Sequence, residues 1–463
     1  MSFDASGSIL GKFSGDFSVR AFSLAHDRVS ASISAALTET KKWNQRDCPL
    51  KPTLVLWLVL FLSIYRDLSI PAVFDVLLDF LREREPTIGL KAVTPEALCH
   101  AKGRLGSEPL KLVFRDLSSS LSPRIETFHG HRKLAVDGTY FRVADTPSNV
   151  KSFGKKKGRT EAAYPQMLAV ILVETSTHRA LDVELGHCHV GERSLTKELV
   201  ARSLGTGDLV IFDRGLPSFE IFLECQAVDS RYLARISKVW SPEIVKDLGP
   251  GDQLVSVSAC SVERKRLRAI GQDPNQSLML RMITYCVPGG ETVRLLTDLM
   301  EPRVYPAIEL ARLYHERWEA ELVFDEIKTH FLKPPSGGQP THFRSKTPDG
   351  VYQEAYGALI AYNLVRDLMV RAAEAHSVPP LSLSFVGTLG VLKIWLPRLE
   401  RGTGAGMSLA ALLSDISRCR LRARRQRQCP RVVKVKMTKF KKKRPSDREK
   451  RPSNLTPQLG NVA

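Results

Sequence analysis

A chain of 463 residues is long enough for two or three domains with apolar cores of their own, so it needs neither disulfides nor metal ions to stay folded. Hydrophobic residues make up 43% and charged residues 25% of the chain, which is ordinary for a globular protein and excludes a wholly disordered one. The 68 Lys and Arg residues exceed the 49 Asp and Glu residues, and the formal charge of +19 implies a polyanionic partner, nucleic acid above all.

The N-terminal part, residues 1–121, is predicted to be a helical domain, because apolar residues recur at helical spacing from Phe22 to Leu121. Its strongest apolar run, Leu54 to Leu62, is nine residues long, whereas a bilayer-spanning helix needs roughly 20. We therefore interpret it as a buried helix. The first residues also lack the basic and then apolar pattern of a secretory signal, so we expect a cytoplasmic protein without membrane segments.

A short basic helix is predicted to begin at Pro95, because Thr94 is a suitable N-cap and proline is favoured in the first helical turn. The helix carries His100, Lys102 and Arg104. It has the character of a DNA recognition helix, which would make residues 1–121 a DNA-binding domain. A solvated basic helix that packs on its apolar side explains the same residues equally well, and the sequence leaves both interpretations open.

The composition changes near Arg132, where three β-rich stretches separated by turn residues predict an antiparallel meander. A helix around residues 193–204 and an apolar strand that ends before Asp213 follow. Three strands, a helix and a further strand in this order fit a ribonuclease H-like α/β core. We assign its first part to residues 122–235.

Residues 236–299 are predicted to be a β-rich insertion, and residues 300–375 the second part of the core. The second part should contain a long helix from Pro306 to Phe331, which has no internal Gly or Pro, and another helix around Glu354 to Ala373. A C-terminal helical region and a basic tail make up residues 376–463. Residues 418–451 hold 17 Lys and Arg against two acids, which predicts a weakly ordered arm that binds DNA phosphates.

Two aspartates are candidates for phosphodiester chemistry, because Asp137 ends the strand-like KLAV and Asp213 ends the strand-like LVIF. Neighbouring strands would bring both carboxylates to one region of the sheet. Carboxylate oxygens are the ligands that Mg²⁺ prefers, and two such ions activate the nucleophile and neutralise the phosphate. Taken singly, each aspartate is more typical of a turn, since Asp-Gly is a common turn pair.

The long helix adds a third carboxylate in a specific setting. Spacings of three, four and seven residues place four side chains on one helical face: Tyr314, Arg317, Glu321 and Lys328. In a generic helix such a face is a solvated one with i,i+4 ion pairs. Here the Y-x2-R-x3-E-x6-K pattern accompanies VDGT at Asp137 and FDRG at Asp213.

With these motifs the chain resembles the DDE transposases of the insertion sequence 4 family, over roughly Arg132 to Phe331. The resemblance implies that Asp137, Asp213 and Glu321 are catalytic and bind Mg²⁺, or Mn²⁺ in its place. It implies that Tyr314, Arg317 and Lys328 position the DNA backbone. The reaction would be cleavage at transposon ends followed by strand transfer into target DNA.

The resemblance also implies the partners, which are double-stranded DNA of the terminal inverted repeats and of the target, and a second copy of the chain in the synaptic complex. Such an enzyme would act at the nucleoid of a bacterial cytoplasm. Two other functions stay open from the residues: a ribonuclease H-like nuclease without strand transfer, and a DNA-binding protein descended from a transposase. The helix pattern argues against the first, and the three intact carboxylates argue against the second.

Overall fold

The computed structural model describes residues 20–43, 49–66, 68–82, 93–119, 126–157, 161–286, 292–332, 342–400, 408–421 and 458–459. Apart from its first four residues, the predicted basic arm at 418–451 lies outside them. The chain forms two compact units. Unit 1 comprises residues 1–211, 220–230 and 317–420, and unit 2 comprises residues 212–219, 231–316 and 421–463.

The helices are α1 (Arg20–Glu39), α2 (Pro52–Ile64), α3 (Ile70–Arg82), α4 (Pro95–Leu105), α5 (Glu108–Ser119), α6 (Pro147–Phe153), α7 (Glu192–Ser203), α8 (Phe219–Ala227), α9 (Ser261–Ala269), α10 (Ala307–Tyr314), α11 (Trp318–Asp325), α12 (Pro348–Ala375), α13 (Phe385–Glu400) and α14 (Leu409–Arg418). The strands are β1 (Thr127–Phe128), β2 (His131–Arg142), β3 (Gln166–Glu174), β4 (Ala180–His187), β5 (Asp208–Phe212), β6 (Arg231–Arg235), β7 (Glu243–Gly249), β8 (Asp252–Ser258), β9 (Ser277–Cys286), β10 (Thr292–Thr297) and β11 (Gln458–Leu459).

Helices α1 to α5 make the described N-terminal part of unit 1 helical, as the apolar spacing predicts. Helix α2 is buried along nearly its whole length and packs against α12, which confirms the interpretation of the apolar run as a core helix. Among the described residues, no helix is both long and apolar enough to cross a membrane.

Helix α4 begins where the sequence predicts it. Thr94 accepts a hydrogen bond from the backbone of Ala97, and Pro95 occupies the first turn. One face of the helix, with Leu98, Ala101 and Leu105, is buried. Of the three basic residues that the sequence singles out, His100 and Arg104 are exposed, whereas Lys102 is half-buried and burial lowers its pKa.

Unit 1 contains a sheet in which strands β4, β3, β2 and β5 lie side by side in this order. Strand β3 pairs antiparallel with both β2 and β4, as the predicted meander requires. All residues of β3 after Gln166 are buried, and α7 packs against β3 and β4. The predicted succession of three strands, a helix and a fourth strand is therefore present, and the ribonuclease H-like α/β class is confirmed.

Unit 2 is mostly β-structure, as predicted for residues 236–299. Its strands follow the order β6, β10, β9, β8, β7, and the pairings between them are antiparallel. In the middle of this sheet, the fully buried guanidinium of Arg281 forms an ion pair with Asp252 over 2.5 Å. Helix α9 connects β8 to β9.

The predicted single helix from Pro306 to Phe331 is interrupted, and this part of the prediction is wrong. Helix α10 is followed by a 3₁₀ turn at His315–Arg317, then by α11, and then by a π-helical turn at Glu326–Phe331. The other predicted helix is confirmed and longer than expected, because α12 spans 28 residues.

Candidate active site

Asp137 lies within strand β2 and not at the end of a strand. The strand continues to Arg142, and residues 134–142 pair without a break with β3. The expectation that Asp137 ends its strand is therefore wrong, and so is the turn interpretation of Asp137-Gly138. Gly138 has no positive φ, and its backbone N–H donates to the Asp137 carboxylate over 2.8 Å.

Packing, and not a turn, explains why residue 138 is a glycine. A Cβ atom there would lie 3.0 Å from the carboxyl carbon of Glu192 and 3.2 Å from its Cγ. Glu192 begins helix α7, which packs on the sheet from that side. Gly138 thus lets α7 approach the strand that carries Asp137.

Asp213 directly follows strand β5, as predicted, and is half-buried. Within unit 2, the hydroxyl of Tyr314 donates to its carboxylate over 3.3 Å. Tyr314 is the last residue of α10 and is itself buried. The first member of the helix pattern therefore contacts one of the predicted catalytic carboxylates.

Glu321 lies on α11, which packs against β2. Arg317 donates to its carboxylate over 3.0 Å, in the i,i+4 relation that the sequence predicts. The pair is not the solvated one of a generic helix: the Arg317 side chain is 7% exposed, whereas that of Glu321 is 37% exposed. The cation is thus fixed inside the fold and the carboxylate reaches solvent. The Arg317 guanidinium also lies over the Trp318 ring, 4.8 Å from its centroid.

Lys328 is the third residue of the π turn, and its ammonium donates to the hydroxyl of Thr139 on β2. It also lies over the ring of Phe141, 5.0 Å from the centroid. Because side chains alternate along a strand, Thr139 and Phe141 share the face of β2 on which Asp137 lies. Burial lowers the pKa of Lys328 to about 8, although the charge of Asp137 opposes the shift.

The surroundings of Lys328 are rich in positive charge. The cation of Arg142 contributes to the lowered pKa of Lys328, and Arg142 is exposed at the end of β2. Burial, together with the charges of Lys328, Arg142 and Arg66, lowers the pKa of His342 to about 4. His342 is accordingly neutral, and its Nδ1 accepts from the backbone of Arg142 over 3.0 Å.

A cluster of polar side chains binds Glu326, the first residue of the π turn, and we call it the cluster behind the π turn. The carboxylate of Glu326 accepts from the guanidinium of Arg366 and, over 2.7 Å, from the hydroxyl of Tyr362. Arg366 also donates to Nδ1 of His178, whose Nε2 lies 2.7 Å from the carboxylate of Glu319. Burial alone would raise the pKa of Glu326, but the nearby His178, the charge of Arg366 and the hydrogen bond from Tyr362 outweigh it and hold the pKa at about 2.

The acidic side chains of residues 306–331, which we call the signature helix after its Y-x2-R-x3-E-x6-K pattern, differ in their surroundings. Glu319 and Glu326 are bound to cluster partners, and Asp325 is exposed and accepts from Thr329 over 2.7 Å. Glu321 pairs with Arg317 instead, and its carboxylate reaches solvent. The sequence offered no sign of the cluster, because its partners come from α12 and from the turn between β3 and β4.

The chemistry of the predicted metal ligands fits a hard divalent cation, since Asp137, Asp213 and Glu321 offer only carboxylate oxygens. All three are half-buried, so water can reach them. In the part of the chain that the structure describes, no three His, Cys, Asp or Glu side chains are grouped closely enough to hold an ion.

Comparison with known proteins identifies relatives over most of the chain. The family model for the transposase DDE domain matches residues 128–364, and the model for the N-terminal region of the insertion element 4 transposase matches residues 20–115. The chain is similar to the transposase InsG for insertion sequence element IS4 of Escherichia coli, with 28% identity over 88% of this chain and 90% of that protein.

Two further comparisons are more distant. A putative transposase of Sinorhizobium fredii, y4zB, is 26% identical over 50% of this chain and 59% of its own length. The cryo-EM structure of the piggyBac transposase synaptic complex with hairpin DNA aligns with a TM-score of 0.43 and 10% identity, over 89% of this chain and 86% of that one.

Proposed function

The chain belongs to the DDE transposases of the insertion sequence 4 family, and on this premise we propose that Asp137, Asp213 and Glu321 are its catalytic carboxylates. Members of the family are metal-dependent enzymes that cleave DNA and transfer its strands. For this chain we propose Mg²⁺ as the ion, or Mn²⁺ in its place. We further propose the terminal inverted repeats and target duplex as substrates, and a homodimer in a synaptic complex at the nucleoid.

One observation carries the residue assignment. Each of the other three members of the helix pattern contacts a proposed carboxylate or its strand: Tyr314 donates to Asp213, Arg317 donates to Glu321, and Lys328 donates to Thr139, two residues from Asp137. If this were an ordinary solvent-exposed helix face, we would not expect the tyrosine and both basic residues to form these contacts. The pattern is therefore better explained by a site than by surface charge.

The proposed reaction has two steps of the same chemistry. In the first, the oxygen of water attacks a phosphorus at the transposon end and loses a proton, and the 3′ oxygen leaves with the bonding electrons and takes up a proton. In the second, the freed 3′ hydroxyl attacks a phosphorus of the target and loses its proton, and a target 3′ oxygen leaves with the bonding electrons and takes up a proton. Bound divalent ions supply nucleophile activation and charge neutralisation.

The chain's own side chains would orient these groups. The N–H of Gly138 fixes one carboxylate oxygen of Asp137, and the Tyr314 hydroxyl restrains Asp213. Lys328 remains able to donate further hydrogen bonds beside Asp137 and is the proposed point charge for a DNA phosphate. When Glu321 binds a metal ion, the guanidinium of Arg317 would be able to donate two parallel hydrogen bonds to a DNA phosphate.

The test is single replacement of the three carboxylates by Asp137→Asn, Asp213→Asn and Glu321→Gln. Each variant should lose Mg²⁺-dependent cleavage of end DNA by several orders of magnitude while it still binds that DNA. Asp325→Asn is the matched control on the same helix, because Asp325 is exposed and one turn away; it should cleave normally. Full cleavage by any of the three variants would remove that residue from the assignment. End cleavage without strand-transfer products would identify a nuclease instead.

A further inference from the structure

Helix α9 of unit 2 carries a concentrated positive charge at the protein surface. Its nine residues, SVERKRLRA, include four cations and a single acid. Every residue of the helix is exposed except Glu263, which is half-buried, and Leu267, which is buried. A helix with so little apolar contact is held in place by few interactions, and their positions show which side faces outward.

The inner side of α9 is defined by Glu263 and Leu267, which are one turn apart. One carboxylate oxygen of Glu263 accepts from the backbone of Cys260 over 3.0 Å, and the other accepts from the backbone of Phe219 over 2.9 Å. Leu267 is fully buried. The only acid of the helix is therefore engaged in anchoring it and does not neutralise the cations.

The outer side of α9 has three of the cations in one stripe. Arg264, Lys265 and Arg268 are related by i,i+3 and i,i+4 spacing, and we call them the α9 basic face. Among the residues that the structure describes, the side chains of Lys265 and Arg268 form neither an ion pair nor a hydrogen bond. The Nε of Arg264 donates to the backbone of Ala259 over 2.9 Å, which fixes the position of its guanidinium group.

Such a stripe is unfavourable in the isolated protein. Like charges at i,i+4 destabilise a helix by roughly 0.2–0.5 kcal/mol per pair, and α9 has no acid on this side to offset them. A bound polyanion would reverse the sign of that interaction. Side chains at these spacings are about 5–6 Å apart at Cβ, so several of them can reach successive phosphates of one strand.

We propose that the α9 basic face binds the phosphate backbone of double-stranded DNA, as a contact separate from the carboxylate site and without reading bases. This inference rests on the proposed function, because the duplex that reaches the face is the DNA on which the enzyme acts. Duplex DNA fits the face better than an acidic protein does, because DNA presents about one negative charge per 1.7 Å of its axis and the whole chain carries +19.

The experiment measures DNA affinity of the full chain against salt concentration, with end DNA and with a random duplex of equal length. Lys265→Gln with Arg268→Gln removes two proposed phosphate contacts. Each contact contributes about 0.9 to the slope of log affinity against log salt, so the slope should fall by about 1.8 for both duplexes. Over a fourfold rise in salt, wild-type affinity should then fall about 12-fold more than that of the variant.

Two controls isolate the face. Lys151→Gln with Lys393→Gln removes the same charge from exposed positions on α6 and α13 and should leave the slope unchanged. Lys265→Arg with Arg268→Lys keeps both charges and should bind like the wild type. An unchanged slope in the Gln variant, or an equal fall in the Lys151 and Lys393 control, would overturn the inference. So would a loss confined to end DNA, because that would mean base recognition.

The outcomes also separate this inference from the proposed function. If the wild-type chain cleaves end DNA and the Gln variant keeps the full salt slope, only the α9 inference fails. If the wild-type chain does not cleave end DNA at all, the proposed function fails, whatever the slope shows. Melting temperature should be unaffected in every variant, since surface substitutions change stability by about 0.5 kcal/mol or less.

Discussion

The ammonium of Lys328 donates a hydrogen bond to the hydroxyl of Thr139, which joins the signature helix to the strand that carries Asp137. Seven residues are almost two turns of an α-helix, so in a regular helix Lys328 would lie above Glu321. Lys328 lies in the π turn, which has more residues in each turn than an α-helix, and its ammonium reaches Thr139 of β2.

We predict that Thr139→Val weakens the complex with end DNA about tenfold, because the variant keeps the shape of the side chain but loses the acceptor for Lys328. Lys328→Ala should weaken it more. In the double variant the effects should not add, since Thr139 has nothing to orient once the ammonium is gone. Thr139→Ser should restore binding. The measurement is a double-mutant cycle on the dissociation constant, and additive effects would contradict this role of Thr139.

The sequence predicts the fold well where a local pattern decides the structure. The alternation and turn residues of β2, β3 and β4 give their approximate positions, and the apolar run of α2 identifies a core helix. The position of Asp137 was missed for a physical reason. Asp-Gly favours turns locally, but Gly138 is present because Glu192 of α7 packs against it, and that contact joins residues 54 positions apart.

The interruptions of the signature helix could not be predicted either. Nothing in residues 306–331 breaks a helix by composition. The interruption coincides with contacts to distant parts of the chain: Glu326 binds Arg366 of α12 and lies near His178. The six proposed site residues were named from their motifs and from the family resemblance, whereas only the structure reveals Thr139 and the cluster behind the π turn.

Replacements of Arg317 should separate its geometry from its charge. Arg317→Lys keeps the cation but loses the planar fork, and we predict that end cleavage falls about tenfold or more. Arg317→Gln should reduce cleavage further. Because the arginine is buried, Arg317→Gln should also cost about 1 kcal/mol of unfolding free energy, a value kept small by solvent screening at the partly exposed Glu321. Cleavage rates are compared with urea unfolding curves; a variant that loses stability but not cleavage per folded molecule would mean a purely structural arginine.

The packing of α12 on α2 gives a prediction for Gly357. A Cβ there would lie 2.9 Å from both Val59 Cγ1 and Ser63 Oγ, so Gly357→Ala should be overpacked. Such strain costs about 1–3 kcal/mol and should exceed the gain of roughly 1 kcal/mol in helix propensity. Gly390→Ala is the control, because a Cβ at that helical position meets nothing within 4 Å. Thermal unfolding should show a lower melting temperature for the first variant and an unchanged or higher one for the second.

The cluster behind the π turn predicts how stability depends on pH. The pKa of Glu326 is about 2 in the folded protein against an ordinary value of 4.5, so its ionised form is favoured by folding. A depressed carboxylate pKa stabilises the fold fully above the unfolded value, and the contribution is lost as pH falls from 4.5 toward 2. Glu326→Gln should therefore destabilise the protein by on the order of 3 kcal/mol at pH 7. The difference from wild type should shrink by about 1 kcal/mol at pH 3.5.

Urea unfolding at a series of pH values measures both quantities. Asp325→Asn, which changes an exposed carboxylate on the neighbouring turn, should show little difference at any pH. A gap between wild type and Glu326→Gln that stays constant from pH 7 to pH 3.5 would mean that Glu326 is not held ionised by His178 and Arg366.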